Sequence, residues 1–286
     1  MPDRPRNVGA SVRQRLLNLA HARGQPMELL LTRYALERLL HRLSLSPHRE
    51  RFVLKGAMLL ATWFDEPHRA TRDVDLLGFG DVADGALLAT FREIMAIDVH
   101  DGVSFDLKGL RIEAIREEVE YGGSRLRTTA ALAGARIPIT VDIGFGDAVE
   151  PGVEDINLPV LLDMPSPHLR AYPPETVIEE KFHAMVVLGR ANSRMKDYYD
   201  VWMLTSTFEI EPERLRQAIA ATFARRKTEI PTSVPDGLSD DFCADAGKQR
   251  QWAAFARNLS GQVPELGRVV LALLDKLMVI SAPNRL

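Results

Sequence analysis

The 286-residue sequence has one cysteine, Cys243. A single thiol excludes an intrachain disulfide framework and fits a reducing compartment. No apolar run reaches the roughly 18–20 residues that a membrane-spanning helix needs. Arg4 and Arg6 are not followed by an apolar signal core, so the reading is a cytoplasmic protein with no membrane partner. Positive charge is not in excess either. The 36 Lys and Arg against 39 Asp and Glu leave a formal net charge of -3 and a pI near 6.2. Any nucleic-acid partner must therefore be met by a local basic patch rather than by the surface as a whole. Internal repeats and low-complexity tracts are absent as well.

What is present is a globular composition, with 46% apolar and 26% charged residues, enough to bury a core at this length. Residues 10–43 read as two helices parted at Gly24-Gln25-Pro26. Phe52-Val53-Leu54 reads as a short buried strand, and Lys55-Gly56 opens an apolar helix from Ala57 to Phe64. A charged turn over residues 65–69 leads to a second strand near Arg72–Leu77. Asp81 to Ile97 is a helix with Leu87, Leu88, Phe91, Ile94 and Met95 inward. Three strands follow at Leu110–Ile115, Ser124–Leu132 and Arg136–Phe145. The last alternates cleanly, Ile137, Ile139, Val141 and Ile143 on one face and Arg136, Pro138, Thr140 and Asp142 on the other. Residues 151–174 are proline-rich and read as a connector. Helices then run over 175–188, 195–206, 211–227, 240–259 and 263–277. Helices around a mostly consecutive set of strands indicate an α/β or α+β core.

Asp73-Val74-Asp75 is the chemical centre of the sequence. On a strand, residues two apart share a face, so Asp73 and Asp75 project together while Val74 and Leu76 enter the core. Two neighbouring carboxylates repel unless a cation joins them. Mg2+ (or Mn2+) suits such hard oxygen ligands and leaves room for phosphate. A lone D-x-D is more often only a solvated strand face or turn. Three further features favour chemistry. Gly56 stands at a strand-to-helix junction, where free N–H groups bind phosphate and the lack of a side chain lets it approach. Asp142 lies on the polar face of its strand, and a third carboxylate would complete a two-metal phosphoryl-transfer site. Thr71 and Arg72 abut the acidic pair and can reach phosphate oxygens.

Lys181 falls within the apolar stripe Val177, Ile178, Phe182, Met185 and Val186 of a helix that Pro173-Pro174 initiates. A lysine on a buried face needs an anionic partner or a path to solvent. Asp197 and Asp200, three apart on the next helix, share a face among Tyr198, Tyr199 and Trp202. Either acid is able to pair with Lys181, Arg194 or Lys196; Asp197 reads as the structural one, and Asp200 as a candidate for the active site. His183 reads as a packed helix residue.

The run Glu180-Lys181-Phe182-His183-Ala184-Met185, followed by Leu188 through Asp200, resembles the AbiEii/AbiGii toxin family of prokaryotic nucleotidyltransferases. Lys55-Gly56-Ala57 and Thr71-Arg72-Asp73-Val74-Asp75 match the same family in order, as does Gln251-Trp252, and the likeness spans about residues 10–280. It implies a mixed α/β (α+β) polymerase-β-like nucleotidyltransferase core with a mixed sheet over residues 1–165, and a C-terminal helical bundle over 166–286 contributing to the active-site cleft. By motif position the catalytic residues are Asp73, Asp75, Asp142, Lys181 and Asp200, and the first three hold metal. Lys55, Gly56, Thr71, Arg72 and Lys181 bind the nucleotide. The implied substrate is a nucleoside triphosphate, and the implied acceptor is the 3′ end of tRNA, so that transfer blocks translation. The implied partner is a cognate AbiEi-type antitoxin in a toxin–antitoxin or phage-defence system. Many members have Gly-Ser or Gly-Gly where this chain has Gly56-Ala57, which leaves the phosphate grip to backbone N–H groups and Thr71. A protein hydroxyl acceptor, or a non-catalytic antitoxin-binding module, are the alternatives. A basic groove from Arg116, Arg125, Arg127, Arg136, Arg190 and Arg194 would favour RNA; a neutral cleft would favour protein.

Overall fold

The structure is a computed structural model that describes residues 7–64, 71–115, 123–147, 149–257, 259 and 262–281. The turn at 65–69 and Arg116 lie outside these residues. The chain forms two compact units, Met1–Gly146 with Glu154–Ala171, and Asp147–Val153 with Tyr172–Leu286.

The first unit opens with α1 (Val8–Arg23) and α2 (Met27–Leu45). Gly24, at φ +61°, closes α1 in the left-handed conformation that glycine adopts at little cost. Then come β1 (Phe52–Lys55), α3 (Ala57–Trp63), β2 (Val74–Gly78), α4 (Asp84–Ala96), β3 (Ser104–Phe105), β4 (Arg111–Ile115), β5 (Gly123–Leu132), β6 (Ala135–Phe145), β7 (Glu154–Asn157) and β8 (His168–Ala171). Among the described residues these eight strands make one mixed sheet in the order β3-β5-β6-β2-β1-β8-β7, with β4 also pairing β5. β2 runs parallel to β6, and β1 antiparallel to β2.

The alternation of β6 is realised: Ile137, Ile139, Val141 and Ile143 are buried while Arg136 and Pro138 are exposed. The expected connector at 151–174 is corrected. It holds β7 and β8, which extend the sheet beyond β1 through Leu54 and Ala171. Strands of four residues flanked by prolines carry too little alternation to be read, and only the open edge of β1 gives β8 its place.

Helix α2 lies against β6 and β8, and its inner face carries charge. Arg42 makes a two-pronged ion pair with Asp101, at 2.6 and 3.1 Å, and donates to the carbonyls of Ile97 and Val103. Arg33 pairs with Glu37, which accepts from the Leu161 amide, and Arg38 donates to the Pro165 carbonyl. These bonds fasten the 97–103 and 159–165 segments to the helix. Buried charges persist only when paired in this way.

The second unit is built on α5 (Pro174–Leu188), α6 (Met195–Thr207), α7 (Pro212–Arg225), α8 (Asp240–Ala244), α9 (Ala246–Ala256) and α10 (Leu266–Ser281). The expected helix 240–259 is two helices. Asp245 takes an extended conformation between them, and its carboxylate caps α9 by accepting from the Lys248 amide at 2.9 Å. That local bond competes with helix continuation. Trp252 in α9 donates to the Pro264 carbonyl. Among the described residues no helix is long and apolar enough to cross a membrane.

Candidate active site

Asp73 precedes β2, and Asp75 is its second residue. Val74 and Leu76 are buried at 0% and 1% exposure, while both aspartates remain half-buried. The parallel ladder pairs Asp75 with Asp142, which brings the third carboxylate onto the same face. One oxygen from each of Asp73, Asp75 and Asp142 lies within 4.8 Å of the others. Among the described residues no second group of three acidic, histidine or cysteine side chains is so close. Donors that are all carboxylate oxygen suit a hard divalent cation such as Mg2+, so the residues present fit the metal that this arrangement implies.

Gly56 has a steric job besides the phosphate approach expected of it. Its φ of +71° already favours glycine. A Cβ built there would sit 2.0 Å from Asp75 Oδ2, an impossible approach. Gly56 is thus required by the carboxylate itself. It also stands at the start of the short helix α3 with no side-chain cap. Thr71 turns toward the acids: its hydroxyl donates to Asp73 Oδ1 at 2.9 Å and so orients that carboxylate. Arg72 is exposed. Lys55, the last residue of β1, is the ladder partner of Asp75.

Arg125 contributes a contact that motif reading did not assign. From β5 it donates through Nε to Asp142 Oδ1 at 2.7 Å and through Nη2 to Oδ2 at 2.6 Å. Hydrogen bonding to Asp142 raises the guanidinium pKa above its ordinary value, against a smaller lowering by burial. The turn between the two strands sets this pair. Ala133 and Gly134, both at positive φ, form a two-residue turn of the kind that fixes hairpin register. Every step back along β5 then matches one forward along β6, which sets Arg125 opposite Asp142.

In the second unit Lys181 lies 2.6 Å from Asp197 Oδ1 and 3.0 Å from Asp200 Oδ2. Arg194 Nε reaches the other Asp197 oxygen at 2.8 Å. The side chains of Asp197 and Asp200 are 0% and 1% exposed, that of Lys181 13%. The two acids of α6 thus share one lysine from α5, and the cluster is electrically neutral once Arg194 is included. His183 is packed. Arg226 donates to its Nδ1 at 3.2 Å, which leaves Nε2 to donate to the Thr228 hydroxyl at 3.1 Å. Burial, and then the charge of Arg226, lowers its pKa to about 4.

Among the described residues, most of the arginines weighed as a basic groove are engaged by carboxylates. Arg125 is engaged by Asp142, Arg127 lies 3.5 Å from Glu113, Arg190 pairs with Asp236 and Asp241, and Arg194 pairs with Asp197. Arg136 is exposed. Neighbouring carboxylates, invisible to a reading of arginines alone, absorb the charge.

Comparisons with known proteins give the fold and the family. Two solved structures share the fold. JHP933 from Helicobacter pylori superposes with a TM-score of 0.53 at 15% identity, covering 90% of this chain and 93% of its own. A candidate nucleotidyltransferase from the same organism gives 0.52 at 16% identity, covering 90% and 96%. No curated protein matches the chain in sequence. The family described as nucleotidyl transferase AbiEii toxin, of a type IV toxin–antitoxin system, matches residues 38–276, a span that holds both the carboxylate site and the lysine cluster. With so much of its length and both of its acidic centres inside that match, the chain belongs to the AbiEii family of toxin nucleotidyltransferases.

Proposed function

We propose that the chain transfers a nucleoside monophosphate from a nucleoside triphosphate to an RNA acceptor, the 3′ end of tRNA, and so blocks translation. The convergence of Asp73, Asp75 and Asp142 beside Gly56 carries the phosphoryl-transfer reading; the toxin family supports an acceptor whose loss stops growth. Its partner is an AbiEi-type antitoxin, and its setting a toxin–antitoxin or phage-defence system in the cytoplasm.

Asp73 and Asp75, with Asp142, hold Mg2+ (or Mn2+). When bound, the metal offsets phosphate charge and favours ionisation of the attacking hydroxyl. The chain's own residues set the geometry. Thr71 orients Asp73. Gly56 leaves the space that Asp75 fills. Lys55, Thr71 and Arg72 accompany the phosphates. Lys181 binds the β- and γ-phosphates, and Asp200 positions Lys181 through their ion pair.

The pairing of Arg125, Arg127, Arg190 and Arg194 with carboxylates favours a second acceptor class, a protein hydroxyl, because free positive charge for an RNA backbone is scarcer than the sequence suggested. Incubation of the pure protein with each labelled triphosphate, total tRNA and Mg2+ decides between them. Label on tRNA from one preferred triphosphate is the expected result. Label confined to added protein substrates would replace RNA with the second acceptor, and no label on either would overturn the transfer reading.

A further inference from the structure

Five residues lie side by side across the sheet. The ladders pair Glu113 with Arg125, Arg125 with Asp142, Asp142 with Asp75, and Asp75 with Lys55. Residues directly opposite one another in a sheet project from the same face, so the row reads acid, base, acid, acid, base. The acids of the metal reading are flanked by a basic residue on either side.

On the Arg125 side the flanking is a made contact. One planar guanidinium takes both oxygens of Asp142, the two-pronged arrangement that makes arginine–carboxylate pairs strong and directional. The side chains are 35% and 17% exposed, so the pair is within reach of ligands and is not sealed in the core. A cation that takes Asp142 as a ligand beside Asp73 and Asp75 must share that carboxylate with this guanidinium or displace it.

We propose that Arg125 is the resident counter-cation of the carboxylate site. It is a positioning residue that holds Asp142 back from the metal in the nucleotide-free protein and leaves the first ion to Asp73 and Asp75. The inference rests on the metal reading above. Three carboxylates and one guanidinium sum to a charge that one divalent ion balances, so a second ion has little to attract it. Phosphate competes for the same two prongs of a guanidinium. The arriving triphosphate therefore draws Arg125 off Asp142, and Asp142 becomes a ligand at that point. Metal loading is ordered by the substrate.

The test is Mn2+ binding without nucleotide, read from the electron paramagnetic resonance signal of free Mn2+. The wild-type protein should bind one ion per chain, and Asp73→Asn should lose it. Arg125→Gln should bind Mn2+ about tenfold more tightly or acquire a second ion, the scale set by removing a unit charge a few ångström from a divalent ion in a solvated site. Arg125→Lys offers one ammonium for two prongs and should tighten binding by about threefold, a smaller release of the same kind; it carries the test if the Gln variant fails to fold. Unchanged or weaker Mn2+ binding in a folded Arg125 variant, with wild-type binding intact and lost in Asp73→Asn, overturns this inference alone. No Mn2+ binding by wild type or any variant overturns the metal reading and the inference together.

Discussion

The carboxylates of the sheet unit and those of the helical unit are chemically alike and physically opposite. Asp73, Asp75 and Asp142 stand half-buried at the end of a strand and beside it. They are held by a threonine hydroxyl, an arginine and a space that glycine leaves open. Asp197 and Asp200 are buried, and share a lysine. Acids near water can exchange partners at little cost, since their desolvation is incomplete. Buried acids cannot, because an unpaired charge in a low-dielectric interior costs several kcal/mol. The first cluster is therefore suited to taking and releasing a cation; the second is suited to holding a lysine in one place.

The widest separation between the clusters should come from neutralising each in turn. Asp73→Asn or Asp75→Asn should cut transfer by on the order of 10³-fold, about 4 kcal/mol of transition-state stabilisation, and leave the melting temperature nearly unmoved. A variant that keeps wild-type rates with Mg2+ removes that residue from the site. Lys181→Ala should do the reverse to stability. Two buried aspartates lose their shared cation, and unfolding in urea should register a loss on the order of 3 kcal/mol. The variant's affinity for nucleotide must then be measured below its lowered melting point. A stability within a few tenths of a kcal/mol of wild type would place Lys181 among ordinary surface lysines and erase the contrast.

Gly56→Ala sharpens the comparison on the sheet side. The new methyl must push Asp75 away while the backbone holds a positive φ, a strain of about 1–3 kcal/mol. Displacing a reacting group by an ångström costs up to about 10²-fold in rate, so transfer should fall by one to two orders of magnitude. Wild-type activity in a folded Gly56→Ala protein would show that Asp75 has room to move.

The smallest effect is a pH dependence in the helical unit. His183 titrates near pH 4 when folded, below its ordinary value near 6.5. The unfolded chain therefore binds the extra proton across that interval, and the stability present above about 6.5 is lost as the pH falls toward 4. Glu179 acts with the opposite sign. Burial first, and then Glu180, raises its pKa, so its contribution is lost as the pH rises above the usual carboxyl range. Replacing His183 with Gln, which can still donate to Thr228, separates the two. Wild type should lose more stability than His183→Gln between pH 7 and pH 4.5; equal losses would show that burial and the charge of Arg226 do not depress the imidazole.

Local pattern and tertiary placement divide cleanly in this molecule. The alternation of β6, the helix opened by Pro173-Pro174 and the shared face of Asp73 and Asp75 were legible because they depend on strand period, proline geometry and near neighbours in the chain. The hairpin register that sets Arg125 against Asp142 was not legible, since strands read as ending at Leu132 and resuming at Arg136 leave a three-residue turn, whereas the fold turns on Ala133-Gly134 alone. Strands β7 and β8 were not legible. Their edges make sense only beside β1, which lies over a hundred residues earlier. The same limit applies to charge. A sequence shows that Lys181 sits in an apolar stripe and that Arg127 and Arg190 are basic. Which carboxylate meets each of them is settled by helix packing and strand pairing, because an ion pair forms wherever folding brings its halves within a few ångström, at any separation along the chain.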